Sequence, residues 1–190
     1  MKKSLGPKTL AYPLPAYLIG TYDLNGRANI MTAAWAGIAC SEPPCLAVGI
    51  RAGRLTHESI IKNQAFTVNF PNSSQAAIVD FAGLVSGRQR DKFAEAGLTA
   101  VDSALVKAPY VAECPVVAEC RLYKSLELGS HTLFVGEILD IKADEGLESP
   151  NGGLDLAKVD PLVFNSGGQY HKVGSGVGQG FSIGKALIKK

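Results

Sequence analysis

The β-strand patterns of this chain come in runs, and this arrangement constrains the fold more than any other feature of the sequence. The strongest local signal is Asn25-Gly26, a dipeptide typical of tight hairpin turns, which lies between the apolar segments Tyr17–Tyr22 and 28–40. We predict that these two segments pair as antiparallel strands. Helical patterns are inserted between groups of strands without strict alternation, which favours an antiparallel barrel over a doubly wound parallel sheet.

The remaining elements are predicted from apolar periodicity and turn residues. Three helices are expected. The first begins at Thr56, its predicted N-cap, the second covers residues 74–84, and the third covers residues 91–96 and ends at Gly97. Further strands are expected over residues 45–50, Ala65–Phe70, Val116–Leu128, 132–143, 162–164 and Gln169–Lys172. The expected fold class is therefore mainly β (α+β), an antiparallel barrel with short inserted helices, in a single domain covering residues 1–190.

Composition and charge argue against two classes of partner. Lys and Arg number 19 against 17 Asp and Glu, a formal net charge of +2, whereas many phosphate contacts to nucleic acid would need a large basic surplus. The mean hydropathy is +0.12, yet no stretch supplies the roughly 18 apolar residues of a membrane span. Pro7, Pro13 and Pro15 interrupt the segment after Lys2 and Lys3, so no signal peptide is expected. We expect a cytoplasmic protein without nucleic-acid or membrane partners, and a buried subunit interface would explain the high hydropathy.

The four cysteines, Cys40, Cys45, Cys114 and Cys120, match neither a CxxC pair nor the usual zinc spacings. No metal site is therefore expected. Reduced, structural cysteines are the favoured interpretation for a cytoplasmic chain, and a redox pair stays open as the alternative.

Two basic clusters suggest an anionic ligand. Arg51 and Arg54 lie just before the helix predicted from Thr56, where free backbone N–H groups and the helix dipole favour a phosphate. The loop SGRQRDKF, residues 86–93, carries further basic side chains around Gly87. A phosphorylated ligand and two solvated basic turns are both compatible with this pattern.

The second predicted strand could accommodate a flat ring. Met31, Ala33 and Trp35 alternate along it and are expected to share one face. Small neighbours such as Ala34 and Gly37 would let a ring such as isoalloxazine approach the backbone. The alternative is an ordinary barrel strand whose tryptophan belongs to the core.

Three stretches resemble the flavin reductase-like, FMN-binding split-barrel family. They are YLIGTYDLNGRANIMTAAWAGIACSEPPCLAVGIR, SGRQRDKF and CRLYKSLELGSHTLFVGEI, and the resemblance covers about residues 15–170. The order NxMTAAW, SEPP and SGRxxDKF is specific as a combination, although each piece alone is not. The resemblance implies an antiparallel split β-barrel of Greek-key type and a homodimer with one non-covalently bound FMN per subunit.

The resemblance also assigns roles to individual residues. Lys92 is expected near the flavin ring, where its charge would stabilise the reduced anion, and His131 near the reactive face, so these two are the candidate catalytic residues. Arg51, Arg54 and Thr56 are expected at the phosphate. The full set of expected cofactor-binding residues is Asn29, Met31, Thr32, Ala33, Trp35, Arg51, Arg54, Thr56, Ser86, Lys92, His131 and Phe164.

Three functions stay open at this point. The chain could pass electrons between redox partner proteins through a bound FMN, as an electron-carrying redox protein. It could instead be an NAD(P)H-dependent flavin reductase that transfers hydride to flavin. The third interpretation is a flavin-binding module without turnover. Because the cofactor carries the redox chemistry, the lack of a catalytic motif does not decide whether the chain is an enzyme.

Overall fold

The computed structural model describes residues 1–188. The strands are β1 (Leu14–Pro15), β2 (Tyr17–Tyr22), β3 (Ala28–Ala33), β4 (Ala36–Ser41), β5 (Pro44–Arg51), β6 (Ala65–Phe70), β7 (Ala100–Asp102), β8 (Pro109–Val111), β9 (Val116–Leu128), β10 (His131–Ala143), β11 (Leu162–Asn165) and β12 (Gln169–Lys172). The α-helices are α1 (Leu55–Asn63), α2 (Ala76–Leu84), α3 (Lys92–Ala96) and α4 (Leu156–Val159), with 3₁₀ turns at Ser73–Gln75 and Ile183–Leu187. The single domain predicted over residues 1–190 includes residues 189–190, which lie outside the described residues.

Seven strands form one antiparallel sheet in the order β3-β2-β6-β9-β10-β5-β4. Strands that follow each other in the chain, such as β3 and β4 or β5 and β6, are not neighbours in this order, as in Greek-key connections. The sheet has β3 at one edge and β4 at the other, so the barrel is split between them. These features confirm the predicted antiparallel split barrel with short inserted helices.

The barrel interior holds the main core. Fully buried side chains from six of the seven strands meet there, and Ile60 of α1 joins them. The cluster includes Ile19, Leu46, Val48, Ile50, Phe66, Val68, Ala118, Cys120 and Phe134. Because the apolar residues of strands at both ends of the sheet share one cluster, the sheet curls around them and does not lie flat.

A second apolar cluster lies outside the barrel, where α2 and α3 pack on β2 and β3. Val79 and Ala82 of α2 and Phe93 of α3 contact Leu18 and Ile30 from the other face of these strands. The Asp91 side chain caps α3 by accepting from the Ala94 amide at 3.1 Å. This packing positions the loop between α2 and α3 beside strand β3.

A buried carboxylate ties β9 to the loop after β7. Glu119 is fully buried and accepts hydrogen bonds from the amides of Ala104 at 3.2 Å and Leu105 at 2.8 Å. The Lys142 ammonium donates to it at 2.5 Å. Burial acts to raise the pKa of Glu119, but Lys142 and the two amides outweigh it and hold that pKa below its usual range.

Two details of the predicted elements are corrected. The segment 28–40 forms two strands, because the chain breaks at Ala34 and Trp35 and continues at the other edge of the sheet. Helix α1 is capped by Arg54 in extended conformation, and Thr56 lies inside its first turn. Hydrophobic periodicity does not show either point, since a break between two apolar strands leaves the pattern of alternation intact.

Candidate functional site

Two adjoining cavities open at the split of the barrel, where β3, the start of α1 and the loop after α2 meet. The inner cavity has a volume of about 350 Å³, including the space at its open mouth, and its lining includes Asn29, Arg54, Thr56, Ser86, Gly87 and Lys92. The outer cavity, of about 500 Å³, is lined by Met31, Thr32, Ala33, Ala34, Trp35, Gly49, Ile50, Arg51, Arg54 and His131. Met31 and Arg54 line both cavities, so we treat them together as one cleft.

The start of α1 leaves backbone donors free in the inner cavity. Its N-cap, Arg54, has φ −81° and ψ 142° and makes no side-chain capping hydrogen bond. The first N–H groups of a helix have no partner within the helix, and the dipole adds positive potential there. Thr56 is buried in this first turn, where its hydroxyl accepts from Nδ2 of Asn29 at 3.2 Å. This end of the cleft is therefore suited to an anion.

Lys92 contributes a buried cation to the same cavity. Only 4% of its surface is exposed, and its Nζ donates to the Ala82 carbonyl at 2.6 Å. Burial, with a smaller contribution from the positive charge of Arg54, lowers the pKa of Lys92 to about 8. None of the ion pairs among residues 1–188 involves Lys92, Arg51 or Arg54. A negatively charged ligand would supply the missing counter-charge.

The loop 86–90 closes the inner cavity with its backbone. A Cβ at Gly87 would lie 2.0 Å from Oδ1 of Asn29, so only glycine allows this approach. The Gly87 carbonyl accepts from Nη2 of Arg27 at 2.6 Å. Arg88 pairs with Glu58 at 2.7 Å, and Arg90 pairs with Glu95. The basic side chains at positions 88 and 90 therefore hold the loop through ion pairs, and of the three basic residues of this stretch only Lys92 lines the cavity.

Trp35 and His131 form the wall of the outer cavity. Their ring centroids are 4.5 Å apart with an interplanar angle of 33°. The Nδ1 atom of His131 lies 2.8 Å from Oγ of Ser130. Partial burial and the nearby charge of Arg51, which lies opposite His131 on the neighbouring strand, lower the pKa of His131. The imidazole is therefore neutral near pH 7.

The strand break explains the position of Trp35. Met31 and Ala33 are buried in the barrel, as the alternation predicts, whereas 45% of Trp35 is exposed. Its carbonyl accepts from the Gly49 amide at 2.8 Å, which holds the turn against β5. Trp35 therefore faces the cleft as part of the turn and does not share the buried strand face.

Thr32, on the same strand as Met31 and Ala33, donates its hydroxyl proton to the carbonyl of Val79 in helix α2.

Eleven of the twelve expected cofactor-binding residues line this cleft. The exception is Phe164, which stacks on Tyr170 with ring centroids 5.2 Å apart and lines a separate cavity with Tyr12 and Pro13. Sequence reasoning missed Gly83 and Ala82, whose backbone completes the inner wall. Their sequence carries only a helical pattern, so nothing in it indicated a ligand.

The fold and the cleft define a class of protein: a split β-barrel whose cleft has one end suited to an anion and an adjoining cavity with an aromatic wall. A family model described as the flavin reductase like domain matches residues 9–174. The chain therefore belongs to the flavin reductase-like family.

Two solved structures and one curated relative illustrate this similarity. The flavoredoxin of Desulfovibrio vulgaris (Miyazaki F) has 47% sequence identity and a TM-score of 0.92, covering 97% of this chain and 100% of that chain. The flavoredoxin from Methanosarcina acetivorans has 33% identity and a TM-score of 0.92, covering 99% and 100%. The FMN reductase (NADH) RutF of Pseudomonas syringae pv. syringae is 27% identical over 70% of this chain and 71% of that protein.

Proposed function

We propose that this chain binds FMN non-covalently in the cleft and works as a redox protein that accepts electrons and passes them on. The observation that carries the proposal is the buried Lys92 ammonium, which has no ion-pair partner among residues 1–188 and lines the inner cavity with the exposed Arg54, next to the aromatic wall of the outer cavity. A ligand with one anionic end and one flat ring matches both halves of this cleft.

The cleft residues divide between the two ends of such a ligand. Arg54, Thr56 and the free amides of α1 would hold the phosphate, with Arg51 adding positive charge from the outer cavity. The β3 residues Asn29, Met31, Thr32 and Ala33, together with Ser86 and Trp35, would contact the ribityl chain and the ring. When bound, FMN supplies electron and hydride transfer chemistry.

Two residues carry the proposed catalytic roles. Lys92 presents a buried positive charge in the inner cavity, where it would stabilise negative charge on bound FMN. His131 stays neutral near pH 7, and because Ser130 engages its Nδ1, its Nε2 would be the ring nitrogen available to a ligand in the outer cavity. Both groups act by position and charge, and neither has to transfer a proton for electrons to move.

The cofactor is tested directly on the purified protein. Heat-released flavin is identified and counted per chain, and the flavin-free protein is then titrated with FMN while the flavin fluorescence is followed. We expect one FMN per chain and saturable rebinding. A colourless protein that does not bind added FMN would rule out the proposal.

A second candidate, an NAD(P)H-dependent flavin reductase, is supported by the similarity to the FMN reductase (NADH) RutF. Anaerobic stopped-flow mixing with NADH or NADPH distinguishes the two functions through the bleaching of bound FMN at roughly 450 nm. Rapid bleaching indicates the reductase. Reduction that requires a redox partner protein indicates the electron carrier, and reduction by neither indicates a flavin-binding module without turnover.

We also propose that the chain is a single domain, assembles as a homodimer and works in the cytoplasm. Tyr123, Leu126 and Leu128 on β9 are at least half exposed, an apolar surface suited to a subunit interface. The four cysteines are free thiols, as is usual in a reducing compartment. No helix among residues 1–188 is long and apolar enough to cross a membrane. Light scattering during gel filtration measures the assembly, and a monomer would contradict it.

A further inference from the structure

Cys40 and Cys45 are paired residues of the β4–β5 hairpin. The two residues are direct partners in the antiparallel register, one pair away from the turn, next to the pair Ser41 and Pro44. Directly opposite residues in such a ladder have Cα atoms about 4.5–5.5 Å apart. A disulfide needs a Cα separation of about 4.4–6.8 Å. The backbone therefore already has the spacing that a disulfide between these two residues requires.

From this pairing we propose that Cys40 and Cys45 form a reversible dithiol–disulfide site that reacts with low-molecular-weight disulfides. The site lies at the turn of the hairpin whose other end carries Trp35, and it does not depend on flavin binding. It separates the four cysteines into one reactive pair and two structural thiols.

The two thiols differ in access, which sets the order of the reaction. Cys40 is exposed, and its Sγ lies 3.3 Å from the Glu42 carbonyl, turned toward the hairpin turn. Cys45 is buried, with 1% of its surface exposed. Burial raises the pKa of the Cys45 thiol, with smaller contributions from Cys40 and Glu137. Cys40 is therefore the thiol that meets a soluble disulfide first.

The reaction balances in two exchange steps. The Cys40 thiolate attacks one sulfur of a small disulfide, forms a mixed disulfide and releases one small thiol. The Cys45 thiolate then attacks the Cys40 sulfur, forms the Cys40–Cys45 bond and releases the second small thiol. The protein pair loses two electrons and two protons, and the small disulfide gains both. An excess of small thiol reverses the two steps.

The end of the hairpin can open to allow the second step. Pro43 and Pro44 have no N–H to donate, so the turn lacks two of its backbone hydrogen-bond donors. The register shift between Ile38 and Cys40 adds a bulge in the edge strand β4. Both features weaken the ladder near the turn, so that rotation of the Cys40 side chain and a small opening bring the sulfurs together.

Neither of the other two cysteines has the paired backbone position opposite Cys45 that Cys40 has. Cys120 pairs with Ile138 on β10, whereas Cys45 pairs with Glu137 on the opposite side of that strand. Two strand spacings, about 9–10 Å, therefore separate their backbones. Cys114 belongs to the second apolar cluster, outside the barrel. Neither of these buried thiols has a cysteine opposite it in the sheet.

Tryptic peptide mapping tests the proposal with an internal control. Cleavage after Arg27 and Arg51 places Cys40 and Cys45 on one peptide, residues 28–51, and cleavage after Lys107 and Arg121 places Cys114 and Cys120 on another. The folded protein is incubated with glutathione disulfide, quenched in acid, denatured and alkylated. We expect peptide 28–51 to lose two hydrogens and carry no alkyl group, while peptide 108–121 carries two.

Variants and reversal complete the test. Cys45→Ala should trap one glutathione on Cys40, Cys40→Ser should leave Cys45 reduced, and Cys114→Ala should oxidise like the unmodified protein. Dithiothreitol should restore both thiols of peptide 28–51. In the unmodified protein treated with glutathione disulfide, double alkylation of that peptide, a stable glutathione adduct at Cys40, or a disulfide between two chains would each overturn the proposal.

Discussion

Gly87→Ala tests whether the backbone of loop 86–90 shapes the cleft. The added Cβ would lie 2.0 Å from Oδ1 and 2.8 Å from Cγ of Asn29, and 3.0 Å from Cδ2 of Leu55. Ordinary van der Waals contact begins at 3.4 Å, so the closest approach is about 1.4 Å too short. The loop cannot simply lift away, because Arg27 holds the Gly87 carbonyl at 2.6 Å.

The expected cost follows from these contacts. Overpacking a filled site by one carbon costs about 1–3 kcal/mol. Displacing Asn29 also breaks its hydrogen bond to Thr56, which is worth about 1 kcal/mol. Together these costs are about 2–4 kcal/mol. Since a factor of ten in affinity corresponds to about 1.4 kcal/mol, we expect this total to divide between FMN binding, which weakens at least about tenfold, and folding stability, which falls by at most a few kcal/mol.

The matched control is Gly53→Ala. Gly53 lines the same inner cavity, but a Cβ there would meet no atom within 4 Å. Both variants are titrated with FMN by fluorescence and unfolded in urea. We expect Gly53→Ala to bind FMN and unfold as the parent protein does. If Gly87→Ala binds FMN as tightly as Gly53→Ala and unfolds at the same urea concentration, the close approach of Gly87 to Asn29 does not shape the site.

Three further predictions test the charges, and the third has a matched control variant. Lys92→Met should weaken FMN retention or lower its potential. In flavin-free protein, the lowered pKa of Lys92 destabilises the fold below about pH 8, and this effect fades as pH rises toward 10.5. The urea unfolding free energy of Lys92→Met should therefore lose this pH dependence. Unchanged FMN affinity and an unchanged FMN potential in the variant would remove Lys92 from the site. Because its pKa is lowered, His131 becomes cationic only below pH 6.5, so the affinity of the parent protein for the anionic electron donors NADH and NADPH should rise as pH falls below that value. His131→Gln should abolish this rise. Identical affinity–pH profiles for the parent protein and the variant would contradict the prediction. Glu119→Gln should cost about 2 kcal/mol in urea unfolding by weakening the buried pair with Lys142, whereas Glu137→Gln at the surface should cost under about 1 kcal/mol. The depressed pKa of Glu119 stabilises the fold above about pH 4.5, and this contribution is lost as pH falls through that pKa. Equal losses in both glutamate variants would refute the assigned role of burial.

Local chemistry was sufficient to predict most of the fold. Alternating apolar residues and turn dipeptides act over a few residues, so strands such as Ala65–Phe70 and Val116–Leu128 are predicted with their observed bounds. The end of α3 at Gly97 is equally local, whereas its first residue is Lys92 and Asp91, predicted inside the helix, is its N-cap. The small strands β7 and β8 were missed, since tertiary contacts and not their own pattern stabilise them.

The roles of individual charged residues needed the tertiary structure. Arg88, Arg90 and Lys92 form one basic cluster in the sequence, yet only Lys92 enters the cleft, because Glu58 and Glu95 engage the two arginines. Their partners lie 30 and 5 residues away, and no spacing rule selects them.

The sequence by itself determined the strand pattern, the inserted helices and the residue types of the cleft, because these depend on side-chain alternation and local backbone preference. Only the tertiary structure decided that the strand breaks at Ala34, that Trp35 turns to the cleft against His131, and that Cys40 pairs with Cys45. The physical reason is that register and curvature depend on which strands meet, and the energies that select these meetings are spread over the whole core.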